Sequence, residues 1–503
     1  MAHKSVYAKM MLVLLVATVV LAACTITNNP TPAAPLAEVV TVSVERPSAT
    51  ATPSPSSTPT ATRILVETAV PTSTPPPTTT PTATAMATPF LAISPPILSS
   101  QGQLAFIKNQ TLFVETAVGS EIFNTLEDYI AAALWSPQGD RLLFATCAIP
   151  GQIVICEGIN WFLYQLEGGK LINLADLFND LPVEDLGVPT WLNSGEKLLV
   201  SSYLQGDILV LDLKTGTFSV PIRVFNELKT WELPGENLLI QDHFGTWLNE
   251  LHTFTLDGEK LWSLPNFHPE GIDGGNAAVL GFSEVGQLLI ILEPVDNLNE
   301  FATFYHFDPV TFETERLLSV QLANFSPDIS VSPNGQFVAY FAPGENAQNE
   351  GNVLTIVDQN GRSYGQRPNS VIIDWRPDGG PVVKEIIEAE QTQLVYWPLD
   401  GAAAQVFVSP TSLVFGGGKW SGDGRFFIYS AVDEAENQSH LYLWRPESGA
   451  PILLHTAAGT DGFRNFAWLP DSTAVYFNLG QTELWNFEVE TESLTLIASS
   501  AEN

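Results

Sequence analysis

One ten-residue phrase limits the folds open to this chain. It reads Trp135-Ser136-Pro137-Gln138-Gly139-Asp140-Arg141-Leu142-Leu143-Phe144. An aromatic residue closes one strand, Ser-Pro-x-Gly makes a tight turn, and apolar residues open the next strand. Proline pre-sets φ at the second turn position, and glycine takes a backbone shape that other residues resist. The phrase therefore encodes a hairpin. Degraded copies begin at Trp191, Trp231, Phe282, Val331, Trp375, Trp420 and Trp468. The seven intervals from 135 to 468 cover 333 residues, about 48 each.

A period of this size belongs to propellers and solenoids. Each copy is followed by a further strand and turn, such as Ile208-Leu209-Val210-Leu211-Asp212-Leu213-Lys214-Thr215-Gly216, and then by another short strand such as Gln405–Val408. With the strand before the aromatic, each repeat holds four antiparallel strands, the content of one propeller blade. The most helical stretch after residue 100, Val382–Ala389, still reads as a strand. The expected fold class is all-β: a β-propeller of four-stranded antiparallel blades over 98–503. Eight blades are expected, with seven or nine open. The uncertain copy runs through Ser99–Ile107 and Thr111–Glu115, which lacks a visible first strand. The signature residues Trp135, Trp191, Trp231, Phe282, Trp375, Trp420 and Trp468 are expected to pack structurally, the tryptophans between blades.

The pattern resembles the WD40-like repeats of the TolB-type β-propeller family. The family's Trp-Ser-Pro-Asp-Gly-like turn is matched by Trp135–Gly139 and its relatives. The resemblance spans about residues 100–500 and implies architecture, since such blades serve unrelated functions. One local stretch, Leu256–Trp262, resembles the repeats of a propeller lipoprotein of outer-membrane assembly.

The N-terminus carries a different message. His3, Lys4 and Lys9 precede an apolar run, Met10–Leu21, too short to cross a membrane comfortably. The run ends Leu21-Ala22-Ala23-Cys24, which resembles the bacterial lipobox. That resemblance implies a signal peptide over 1–23, cleavage before Cys24, and lipid (palmitate among the acyl chains) on Cys24. Two or three acyl chains on one cysteine anchor stably where one would not. The expected location is the extracytoplasmic side of a bacterial cell membrane.

Residues 24–97 are mostly Thr, Pro, Ala and Ser. Proline fixes φ and lacks an amide hydrogen, and few apolar side chains are present to offset ordering entropy. This segment reads as a disordered tether, roughly 200 Å long if extended at about 3 Å per residue.

The formal net charge of −34 repels nucleic-acid phosphates and excludes that partner class. Besides Cys24, the cysteines are Cys147 and Cys156, flanking Pro150-Gly151. They could face each other across a hairpin, as a disulfide outside the cytoplasm or as two buried thiols. The six histidines after residue 100 show no paired metal spacing, and neither a Gly-x-Ser-x-Gly elbow nor a phosphate-binding loop occurs. No metal, catalytic residue or cofactor is expected. Calcium is the one ion weighed, at the oxygen-rich loops Asp433–Asn437 and Glu293–Asn297, where solvated loops are the plainer reading.

The expected function is a non-catalytic propeller that binds a protein, peptide or glycan at the cell envelope. A glycan-active hydrolase or lyase with carboxylates in the channel, and an assembly scaffold, are the alternatives. The repeated frame builds blades, so a site belongs in the parts the repeats do not share.

Overall fold

The computed structural model describes residues 40–44 and most of 92–500. Within 92–500 the exceptions are 118, 125–128, 148–158, 178–188, 202–206, 220–221, 224–226, 245–247, 265–274, 283–287, 295–300, 322–328, 344–352 and 389–390.

The phrase folds as its chemistry requires. Tyr129–Trp135 and Arg141–Cys147 pair antiparallel, with Trp135 opposite Leu142. The Gly139 amide donates to the Ser136 carbonyl at 2.9 Å. Ser136 Oγ accepts from the Arg141 amide at 3.1 Å, closing the turn from its side chain. Ser332 and Ser421 do the same for Phe337 and Phe426, at 2.9 and 3.0 Å. Gly139, Gly335 and Gly424 all have φ near +70° (72°, 70° and 69°), the left-handed region that glycine enters without penalty. In the last copy Ser472 takes that place with φ 61°.

Nine such hairpin units form nine antiparallel sheets, each built from consecutive strands. We number them as blades 1 to 9, over residues 97–124, 129–173, 190–223, 227–264, 275–321, 330–368, 370–411, 414–458 and 463–499. The stretch over 382–389 lies in the strand Pro381–Glu388. The first strands of blades 1 and 2, 5 and 6, 7 and 8, and 8 and 9 contact one another, which puts first strands at the centre of the ring.

The core is divided among the blade interfaces. Leu142, Phe144 and Tyr164 of blade 2 pack on Leu112, Val114 and Phe123 of blade 1. Tyr396 and Phe407 of blade 7 pack on Trp420, Phe427 and Trp444 of blade 8. The ring closes where Leu104 and Phe106 of blade 1 meet Leu484 and Ala498 of blade 9. Each such buried side chain contributes about 1.5–3 kcal/mol. The first strands of blades 2, 4, 5, 7, 8 and 9 also slip register, for example at Ile130/Ala132 and Ile372/Asp374. Such bulges sharpen local twist, which suits strands converging on an axis.

Three details depart from the expected layout. Among the described residues the blades number nine, a count left open beside the first choice of eight. Ile97–Leu98 supplies the short first strand of blade 1, pairing with Leu104 and Ala105. A two-residue strand behind Pro95-Pro96 leaves almost no periodic signal. Packing also starts before residue 98: Ile93 is buried, and its amide donates to the Gln481 carbonyl at 2.7 Å. Val40–Val44, within the expected tether, pairs along Gly119–Asn124 as a fifth strand of blade 1.

Candidate functional site

Strand alternation gives the propeller two unlike ends. One end carries the turns between first and second strands and between third and fourth. The other carries the links between second and third strands and from each fourth strand to the next blade.

At the first end the turn between first and second strands is five residues long at 99–103, 136–140, 192–196, 332–336, 376–380 and 469–473, with three at 234–236 and six at 421–426. They are also tied to one another around the ring. Gln101 Nε2 donates to the Gln138 carbonyl at 2.6 Å, and Gln138 Nε2 donates to the Asn193 carbonyl at 2.9 Å. Arg141 Nη1 reaches the Gly195 carbonyl at 3.0 Å. Asn334 Nδ2 donates to the Asp378 carbonyl at 3.2 Å, and Arg376 Nε to that of Gly424 at 2.8 Å. The Asp423 amide donates to Ser472 Oγ at 3.2 Å. Basic and acidic residues are mixed here, with Lys214, Arg362, Arg376, Arg425 and Arg445 among the acids.

The signature tryptophans bind blade to blade beneath this belt. Trp135 Nε1 donates to the Ile97 carbonyl at 3.0 Å, Trp191 Nε1 to that of Leu134 at 3.2 Å, and Trp468 Nε1 to that of Lys419 at 3.2 Å. Trp375 Nε1 donates to Ser330 Oγ at 2.6 Å. Each bond runs from one first strand to the preceding one. Trp420 differs: its indole nitrogen has no partner among the described residues, and its backbone amide donates to Asp374 Oδ2 at 2.8 Å instead. Trp231 packs against Leu233, Leu239 and Phe307. Phe282 ends the strand Gly275–Phe282 opposite Leu288.

The second end is irregular. Its links range from the single residue Asn369 to the sixteen of 174–189. Among the described residues these links carry Asp176, Glu434, Glu436 and Asp461 and not one Lys or Arg. The end is therefore anionic, while the turn end is mixed. Sequence reading missed this because the links are interleaved with the turns along the chain.

Blade 7 has the shortest links at this end, with 369 before it and 389–390 within it. Beside them a cleft of about 530 Å³ opens between blades 6 and 7. Its buried base is an ion pair between Arg367 and Glu385, with Gln393 Nε2 donating to Glu385 Oε2 at 2.6 Å. The Arg367 guanidinium lies 4.7 Å from the Trp397 ring centre. Gly365 permits that packing: a Cβ there would sit 2.8 Å from Trp397. Ile386 and Ile387, 48% and 44% exposed, form the apolar wall.

The remaining expected residues fall as follows. Cys147 is buried and disulfide-bonded. Cys156 and Cys24 lie outside the described residues. Of the calcium loops, Asp433 Oδ1 accepts from the amides of Ala435 and Glu436 at 3.0 and 3.1 Å, an ordinary turn cap; 295–297 lie outside the described residues. Among the described residues no group of His, Cys, Asp and Glu has metal-ligating geometry. The histidines are separate: His252 Nδ1 pairs with Ser263 Oγ and His440 Nδ1 with Thr456 Oγ1, both at 3.0 Å. Burial lowers the His306 pKa, against a raising effect of Glu315. Among the described residues no helix is long and apolar enough to cross a membrane.

No protein-family model matches the chain, and no curated protein does. Solved structures do. A eukaryotic initiation factor shares 11% identity and a TM-score of 0.51, over 81% of this chain and 96% of that one. The tricorn protease shares 11% identity with a TM-score of 0.34, over 82% of this chain, which spans only 44% of that protein. The propeller domain of the Trilobed protease from Pyrococcus furiosus shares 14% identity with a TM-score of 0.33, over 65% of this chain and 98% of that one. At such identities the likeness extends to fold alone. The chain is an all-β protein of four-stranded antiparallel blades, a β-propeller.

Proposed function

We propose that this protein is a lipid-anchored lipoprotein of the bacterial envelope whose TolB-like propeller binds a partner, without catalysis, through its anionic, long-link end. One observation carries the binding reading. The turn end spends its polar groups on neighbouring turns, whereas the other end varies blade by blade and bears acid without base. Surfaces that vary on a repeated scaffold are where binding resides. An anionic end selects a cationic protein or peptide, or a glycan bearing amines, and speeds its encounter.

Support for the anchor is the sequence Leu21-Ala22-Ala23-Cys24, followed by a Thr/Pro-rich stretch. An extracytoplasmic site suits the disulfide at Cys147, for which Cys156 is the proposed partner. Labelling cells with an alkynyl palmitate analogue tests the anchor: the wild type labels and Cys24→Ala does not. Equal labelling of both overturns it. Affinity capture from envelope extracts tests binding. Capture by the wild type should be lost when acids of the long-link end are changed to Lys, and kept when turn-end acids are changed. The reverse pattern overturns the assignment of the end.

A further inference from the structure

We propose that the cleft between blades 6 and 7 receives an extended peptide carrying an apolar side chain flanked by Lys or Arg. This rests on the binding reading above and names its site and ligand class.

Four observations converge there. First, Ser363–Pro368 is the outermost strand of blade 6, and among the described residues it pairs only with Val353–Asp358, leaving its other edge without a strand. Extended peptides add to such edges through main-chain hydrogen bonds. This chain does so itself, at the matching strand of blade 1, with Val40–Val44. Second, Arg367 Nε is buried without an acceptor among the described residues. A buried donor left unmet costs about 1–3 kcal/mol, and a peptide carbonyl entering the cleft would meet it. Third, Ile386 and Ile387 expose nearly half their surface on the opposite wall, a seat for an apolar side chain. Fourth, Glu385 already neutralises Arg367, so the base attracts neither sign, while the chain as a whole carries a net charge of −34. Positive charge is therefore favoured on the flanks of the ligand and not at its centre.

A glycan fits less well. Sugars stack on an open aromatic face, and Trp397 is 8% exposed with Arg367 over its ring.

The test uses the full chain after the signal, with Cys24→Ser to keep it in solution. Fluorescein-labelled Lys-Leu-Val-Ile-Lys is titrated and followed by anisotropy, beside Glu-Leu-Val-Ile-Glu and maltotriose as a competitor. The basic peptide should bind saturably and the acidic one should not. The double variant Ile386→Gln/Ile387→Gln should bind about tenfold more weakly, while Val310→Gln, on an exposed turn at the other end, should bind like the wild type. Hydrogen exchange over 363–368 should slow on binding. Equal binding of both peptides, an unchanged double variant, or displacement by maltotriose overturns the proposal. If the basic peptide fails to bind the wild type while envelope capture persists in the double variant, the cleft is excluded and the broader reading stands.

Discussion

The two ends of this propeller are built from the same strands and put to opposite uses. At the turn end, Ser, Pro and Gly fix a five-residue loop, and its side chains reach the next blade. At the long-link end no turn motif recurs, and lengths run from one residue at 369 to sixteen at 174–189. A ring needs only one end to be regular. Once indole and turn bonds set the angle between blades, the links opposite are free to vary without loss of closure.

That contrast can be broken most severely from the turn end. Trp375→Ala removes a buried ring and its bond to Ser330, and should cost about 3–5 kcal/mol in urea unfolding. Trp375→Phe keeps most of the packing and should cost about 1 kcal/mol, the bond alone. Equal losses for the two would show that the indole nitrogen contributes nothing.

Gly379→Ala is next. Its φ of 108° disfavours a side chain, and a Cβ would stand 2.7 Å from the Phe337 ring of the neighbouring blade. A loss of about 1–3 kcal/mol is expected; an unchanged melting temperature would mean that the turn shifts freely.

Acid should loosen the same end. Amides of Val310 and Thr311 hold Asp308 below the usual carboxylate range, the Thr473 hydroxyl and amide hold Asp471 there, and the Thr215 amide foremost holds Asp212. Depressed carboxylates stabilise above their unfolded pKa, about 4, and lose that contribution as pH falls through the folded value. The melting temperature should therefore decline below about pH 4, and less steeply in Asp308→Asn/Asp471→Asn. An identical slope in the variant would remove these turns from the explanation.

The smallest effect is expected at the long-link end. Glu434→Gln/Glu436→Gln, both exposed in the link 434–437, should change stability by less than about 0.5 kcal/mol, yet slow capture of a cationic partner and weaken its salt dependence. Strong destabilisation would mean that this link serves the ring after all.

Much of the fold was legible because its unit is local. Ser136, Pro137 and Gly139 act within one turn, so their spacing in the chain reports their geometry in space. Blade 1 was less so: Ile97–Leu98 is too short to show a period, and only its partners Leu104 and Ala105 reveal it. The cleft was not legible at all. Arg367, Glu385, Gln393 and Trp397 come from three strands and one turn of two blades, and nothing in their spacing marks them as neighbours.

By itself the sequence determined the repeat unit, its all-β character and the overall acidity, because turn chemistry and alternation act over a few residues. Tertiary structure decided the number of blades, since closure depends on Leu104 and Phe106 meeting Leu484 and Ala498 across nearly the whole chain. It also decided where the charge lies. Turns and links alternate along the chain, and only antiparallel stacking sorts them to opposite ends. The frame of Trp135–Phe144 builds the ring, and the links between such frames give it a binding end.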